Sequence, residues 1–146
     1  MIHPTAIIDT AAVLGDNVEV GPYCVIGPGV VLGDNVVLKS HVVVRGPSTI
    51  GNRVQIYQFA TVGEDTPALA FEGEDSVLEV GEGTIIREGV TIHRGMAKRG
   101  IQKTIIGSNC LLMAYVHVGH DCIVGYNVFM ANNASLSGHV DVGDFA

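Results

Sequence analysis

Aliphatic side chains recur every six residues along most of this chain. They run unbroken from Ile2 through Ile8, Leu14, Val20, Ile26, Leu32, Leu38, Val44, Ile50 and Ile56 to Val62, and resume at Val80, Ile86 and Ile92. A third run goes from Ile106 through Leu112, Val118, Val124, Met130 and Leu136 to Val142. A second, smaller position follows four residues after each: Ala6, Ala12, Val18, Cys24, Val30, Val36, Val42, Ser48, Val54 and Ala60, then Cys110, Val116, Cys122, Val128, Ala134 and Val140. A helix requires a period of 3.6, which this pattern lacks. One large and one small inward residue per six describe short strands joined by corners and stacked as a solenoid, so an all-β chain is predicted.

The residue after the aliphatic one is glycine in eleven of these repeats: 15, 21, 27, 33, 51, 63, 81, 107, 119, 125 and 143. The natural expectation is that glycine supplies the freedom to turn between strands. Two segments leave the phase, Glu64 to Glu79 and Gly95 to Ile105, and both carry polar and loop-forming residues, which predicts protruding loops. The position before the aliphatic one is also apolar in many repeats (Ile7, Val13, Val25, Val31, Val37, Val43, Leu111, Ile123, Phe129). Such an outward apolar stripe is expected to be covered by sister subunits.

At 146 residues the chain has room for one domain, expected to span 1–146 with no C-terminal helical domain. Eight Lys plus Arg against fifteen Asp plus Glu give a net charge of −7, and no basic run could neutralise a row of phosphates. Nucleic acid and anionic membranes are therefore not expected as partners. No long apolar stretch exists to insert in a membrane, and Met1 to Thr5 shows neither region of a signal peptide, so the expected location is the cytoplasm. Cys24, Cys110 and Cys122 all fall in the small inward slot, which assigns them to packing rather than to disulfides, metal or nucleophilic chemistry.

The six histidines all fall in outward phases. His3 and His41 read as solvated or interface residues. His120 and Gly138 are eighteen apart and share a repeat position, which brings one above the other if three repeats make a coil; His139 follows, and His117 shares a face with the apolar positions. A neutral imidazole beside a backbone N–H supplies the base and oxyanion donor of an acyl transfer. Asp121 could fix the His120 tautomer, provided the two adjacent residues sit at a corner.

The repeat itself resembles the hexapeptide-repeat transferases, which implies a left-handed parallel β-helix with three repeats per coil. On that basis the twenty-one repeats make seven coils, roughly 34 Å of stack at about 4.8 Å per coil. Six stretches narrow the resemblance: I-H-P-T-A-I (2–7), L-K-S-H-V-V-V (38–44), I-Y-Q-F-A-T-V-G-E (56–64), R-E-G-V-T-I-H-R-G (87–95), H-V-G-H-D-C-I-V-G (117–125) and A-N-N-A-S-L-S-G-H-V (131–140). Together they resemble the UDP-N-acetylglucosamine O-acyltransferases of lipid A biosynthesis.

That resemblance implies a homotrimer that moves an acyl group from an acyl carrier protein thioester to the 3-hydroxyl of a UDP-sugar. It implies no cofactor beyond the carrier's phosphopantetheine and no metal. His120 resembles the catalytic base, Asp121 its partner and Gly138 the oxyanion donor; His93, His117 and His139 resemble residues lining the cleft. The family's first loop reads D-L-K-Y-x-G-E, and here A-L-A-F-E-G-E (68–74) retains Leu69 and Gly73, with Phe71 for Tyr, as expected substrate contacts. Ala68 and Ala70 stand where the family has an acid and a lysine, which is expected to weaken the grip on the sugar nucleotide. The family also continues for several coils and a helical domain beyond the point matching Ala146. Two other readings compete: a zinc-dependent trimeric lyase of the carbonic-anhydrase type, in which three histidines from two subunits, drawn from His117, His120 and His139, hold the metal, and an impaired or truncated solenoid that only assembles.

Overall fold

The computed structural model describes residues 1–96 and 101–146. Its strands, most of them two to four residues long, form three parallel sheets of seven, seven and six strands. The first sheet runs from Ile7–Ile8 to Ser135–Leu136, the second from Val13–Leu14 to Asp141–Val142, and the third from Glu19–Val20 to Phe129–Met130. Within each sheet consecutive strands lie one full coil apart, with Ile7 opposite Val25 and Val13 opposite Val31. The chain thus winds as a three-sided parallel β-helix, one repeat per side.

The two inward columns form the core. The aliphatic column is buried from Val20 to Met130, and its members near either end of the stack, Ile8, Leu14, Leu136 and Val142, are half-buried. The small column includes Leu78, Thr84, Val90 and Thr104 in addition to the positions named from the repeat. Its polar members are satisfied internally: the Thr84 hydroxyl donates to Gly107 O at 2.7 Å and accepts from Cys110 N at 3.1 Å. The three cysteines are free and buried, and burial pushes their thiols up, away from the thiolate form.

The repeat glycines do not make the turns. Of the eleven, only Gly63 has a positive φ, and the left-handed corner residue comes two positions later: Asn17, Tyr23, Asn35, His41, Arg53, Asn109, Asp121, Asn127 and His139 among others. Except at Gly27 and Gly143, where a Cβ would have room, the glycines are instead required by close contacts. A Cβ on Gly21 would sit 2.5 Å from Lys39 O, and one on Gly81 would sit 2.5 Å from both Gly107 C and Ser108 N, each on the next coil. Asparagine suits the corner because its short polar side chain tolerates the left-handed region.

The outward apolar residues do not form one stripe either. A six-residue period on a three-sided coil sends successive repeats to successive faces. Ile7, Val25 and Val43 therefore lie on the first sheet, Val13, Val31 and Ile123 on the second, and Val37, Leu111 and Phe129 on the third.

Both insertions leave from the corner that joins the first sheet to the second. The first occupies residues 65–76, between strands Thr61–Glu64 and Val77–Val80. It is shorter than its predicted span because Glu64 extends the first strand to pair with His93 across a bulge at Gly63, and Val77 to Glu79 already belong to the second strand. The second begins after Thr91–His93 and ends at Lys103–Ile106, so its predicted start at Gly95 is one residue late and its end overlaps a strand. Residues 97–100 of that prediction lie outside the described residues. Past the two loops the pairing offset widens, so that Val62 meets Ile92 and Ile92 meets Val118, and the solenoid phase is kept.

Candidate active site

The corner that carries the loops also carries His120–Asp121 and, one coil further, Gly138–His139. Asp121 has φ +58° and His139 φ +63°, so each pair turns where the chain bends. That bend meets the condition for neighbours to interact: His120 Nδ1 lies 2.8 Å from Asp121 Oδ2. Asp121 is almost wholly buried and held from two sides. Its oxygens accept from Met96 N in the second loop at 3.2 and 3.0 Å, and its own N–H donates to Thr104 Oγ1 at 3.0 Å.

The chemistry of His120 follows from these contacts. A carboxylate accepts, so Nδ1 carries a proton, and in the neutral ring Nε2 is the nitrogen that keeps its lone pair. Nε2 lies against Gly138, where any Cβ would run into it. The His139 ring stands edge-on to His120 with centroids 4.9 Å apart, and His139 N donates to His120 O at 3.0 Å.

His93 and His117 form a second pair on the first sheet, with ring centroids 5.3 Å apart. His117 Nδ1 is 2.8 Å from Thr91 Oγ1 on the facing strand. Partial burial, reinforced by the neighbouring His93, lowers the His117 pKa from its ordinary 6.5 and favours the neutral ring. His93 Nδ1 donates to Asp65 O at 2.9 Å, and Glu64 O is 3.4 Å away.

Two residues of this corner were not singled out in the sequence. Arg94 is buried, donates from Nη1 to Gly63 O at 2.6 Å, and pairs through Nη2 with the Asp65 carboxylate. The T-I-H-R-G stretch contains Arg94, but periodicity carries no sign of its partners, which lie about thirty residues upstream.

The first loop places its candidates differently. Leu69 is fully exposed, Phe71 is half-buried with its N–H donating to Ala68 O at 3.0 Å, and Gly73 adopts φ +83° in open space. Among the described residues no hydrogen bond or ring contact joins these three to His120. His41 stacks between Tyr23 and Phe59 at 5.2 and 5.1 Å on a different corner, and His3 bonds Thr5.

Within one chain His117 lies beside His93 rather than with His120 and His139, so a zinc site built from His117, His120 and His139 would draw on two subunits. His120, Asp121 and His139 do bring potential ligand atoms within 4.8 Å of one another. Within that group the Asp121 oxygens accept from His120 Nδ1–H and Met96 N–H.

A three-sided parallel β-helix of six-residue repeats with a histidine-rich corner defines a class, and the chain belongs to it: residues 11–46 and 103–144 match the bacterial transferase hexapeptide family (six repeats). Within that class the chain is 54% identical, over all 146 of its residues, to an acyl-(acyl-carrier-protein)–UDP-N-acetylglucosamine O-acyltransferase of Stutzerimonas stutzeri. It is 56% identical over 135 residues to the protein of the same name from Saccharophagus degradans. The chain spans 56% and 52% of the length of these relatives. Among solved structures it superposes on LpxA from Acinetobacter baumannii with TM-score 0.96 and 48% identity, over 98% of this chain and 55% of that one. The UDP-N-acetylglucosamine O-acyltransferase from Moraxella catarrhalis gives 0.95 and 42%, with the same coverage. The coil is accordingly the left-handed parallel β-helix that the repeat resembles.

Proposed function

We propose that the His120 corner transfers an acyl group from an acyl carrier protein thioester to the 3-hydroxyl of UDP-N-acetylglucosamine, the first step of lipid A biosynthesis. The observation that carries the reading is the His120–Asp121 hydrogen bond of 2.8 Å, which leaves the Nε2 lone pair beside the Gly138 backbone. Nε2 takes the proton of the sugar hydroxyl as its oxygen attacks the thioester carbonyl. The tetrahedral oxyanion that forms accepts from the Gly138 N–H, and its collapse expels the carrier thiolate, which recovers the proton from the imidazolium. The acyl ester and the free carrier thiol are the products. Asp121 stabilises the imidazolium throughout. His93, His117 and His139 line the approach to this base, and Leu69, Phe71 and Gly73 of the first loop are the further proposed substrate contacts. The names of the aligned relatives, which match this chain from end to end, support both substrates.

The proposed assembly is a homotrimer in the cytoplasm. Among the described residues no helix is long and apolar enough to cross a membrane. The first sheet presents Ile7, Val25 and Val43 on the outer face that His117 shares, so a sister subunit packed there would bury apolar surface and the cleft together.

Purified chain assayed with an acyl carrier thioester and UDP-N-acetylglucosamine, alongside His120→Ala, tests the reading. Transfer by the parent and its loss in the variant are expected. Zinc in stoichiometric amount with hydratase activity, or transfer that survives in His120→Ala, overturns it.

A further inference from the structure

The Arg94 guanidinium is nearly wholly buried, yet its Nε–H has no acceptor among the described residues. A buried donor left unpaired is unfavourable, so this N–H is no source of stability. What the arginine contributes lies in its two other contacts. Nη1 holds Gly63 O, and Nη2 holds the Asp65 carboxylate. These two residues bracket the point where the first loop leaves the solenoid. Between them the chain changes register: Gly63 takes φ +85° and the strand bulges between Val62 and Glu64. The peptide carbonyl of Asp65, fixed by this clamp, accepts from His93 Nδ1 at 2.9 Å.

We propose that Arg94 is a positioning residue for His93: it clamps the root of the first loop so that the Asp65 carbonyl holds the neutral imidazole in the Nδ1–H form, leaving Nε2 as the acceptor offered to substrate. A carbonyl can only accept, so wherever the loop root is in place His93 must carry its proton on Nδ1. Lysine cannot replace the clamp, because one ammonium lacks the planar fork that reaches the Gly63 carbonyl and the Asp65 carboxylate together. Asp65 is 58% exposed at its side chain, so its charge alone adds little to stability; the pair acts on geometry. The role assigned to His93 rests on the acyl-transfer reading above, whereas the tautomer does not.

The test is long-range ¹H–¹⁵N correlation of the histidine rings in the full chain, in Arg94→Lys and in Asp65→Ala, with steady-state kinetics on the same samples. In the parent His93 is expected as the single Nδ1–H tautomer. In both variants the two tautomers should exchange, and KM for the UDP-sugar should rise about tenfold while kcat stays within a few-fold. A single unchanged His93 tautomer in both variants overturns the proposal. Should Arg94→Lys fail to fold, Asp65→Ala, at an exposed loop position, decides alone. An inactive parent with the expected tautomers would sink the functional reading and leave the Arg94 clamp standing.

Discussion

His120 Nε2 occupies the space in which a side chain on Gly138 would begin. The eighteen-residue offset that stacks one coil on the next creates this contact, so the requirement for glycine at 138 arises from the neighbouring imidazole and not from its own backbone.

Gly138→Ala is expected to tilt the His120 ring away from its bond to Asp121. Because φ at 138 is not positive, the alanine backbone is unstrained and the loss should appear in kcat, about 10²-fold, with at most about 1–3 kcal/mol of stability. Gly143→Ala is the matched control, since a Cβ there meets nothing within 4 Å. Equal kinetics for the two variants would show that the His120–Gly138 contact plays no part in turnover.

Asp121→Asn tests the tautomer. Asparagine accepts the left-handed φ of +58° at this corner, so the fold should persist. The amide NH₂ can donate to Nδ1 and turn the ring over to the Nε2–H form, which removes the base. Transfer should fall by about 10²–10⁴-fold with thermal stability nearly unchanged. A loss of less than fivefold would mean that the carboxylate does not set the proton on His120.

The fold was legible in the chain because a six-residue period fixes which side chains point inward, and a solenoid has few other long-range choices to make. The columns from Val20 to Met130 follow directly from that count. The role of the glycines was misread, since a sequence shows that Gly21 lacks a side chain but not that Lys39 O of the next coil lies against it. The apolar positions were misassigned for a related reason: successive repeats turn onto three faces, which a one-dimensional pattern displays as a single stripe. At the site, the stacking of His120 and Gly138 followed from the offset of eighteen. The Arg94–Asp65–His93 cluster did not, because the insertion between residues 62 and 80 breaks the count just where these residues meet.

His117 carries a pH dependence. Its folded pKa is depressed by burial and by His93, so below the unfolded value of 6.5 the unfolded chain binds the proton more readily. The stability it contributes is fully present above pH 6.5 and is lost as the pH falls through the folded pKa. Denaturant midpoints at pH 7.5 and pH 5.5 should therefore differ more in the parent than in His117→Gln. An identical acid shift in both would place the sensitivity elsewhere.

The first loop offers a gain-of-function test. Ala68 is half-buried and Ala70 exposed, on either side of the fully exposed Leu69, and Phe71 N donates to Ala68 O across this turn. Ala68→Asp with Ala70→Lys keeps that contact, and surface changes of this kind usually alter stability by less than about 0.5 kcal/mol. If the loop closes over the His120 corner, a lysine there can reach a pyrophosphate and an aspartate a sugar hydroxyl. A charge-assisted hydrogen bond is worth about 1.5–3 kcal/mol when shielded from water and less on an open loop. UDP-N-acetylglucosamine should then bind about tenfold more tightly to the double variant by calorimetry, with the gain shrinking as salt is raised. Equal affinities in parent and variant would detach the loop from sugar-nucleotide binding and leave the conformation between Thr66 and Ser76 without a role in the site.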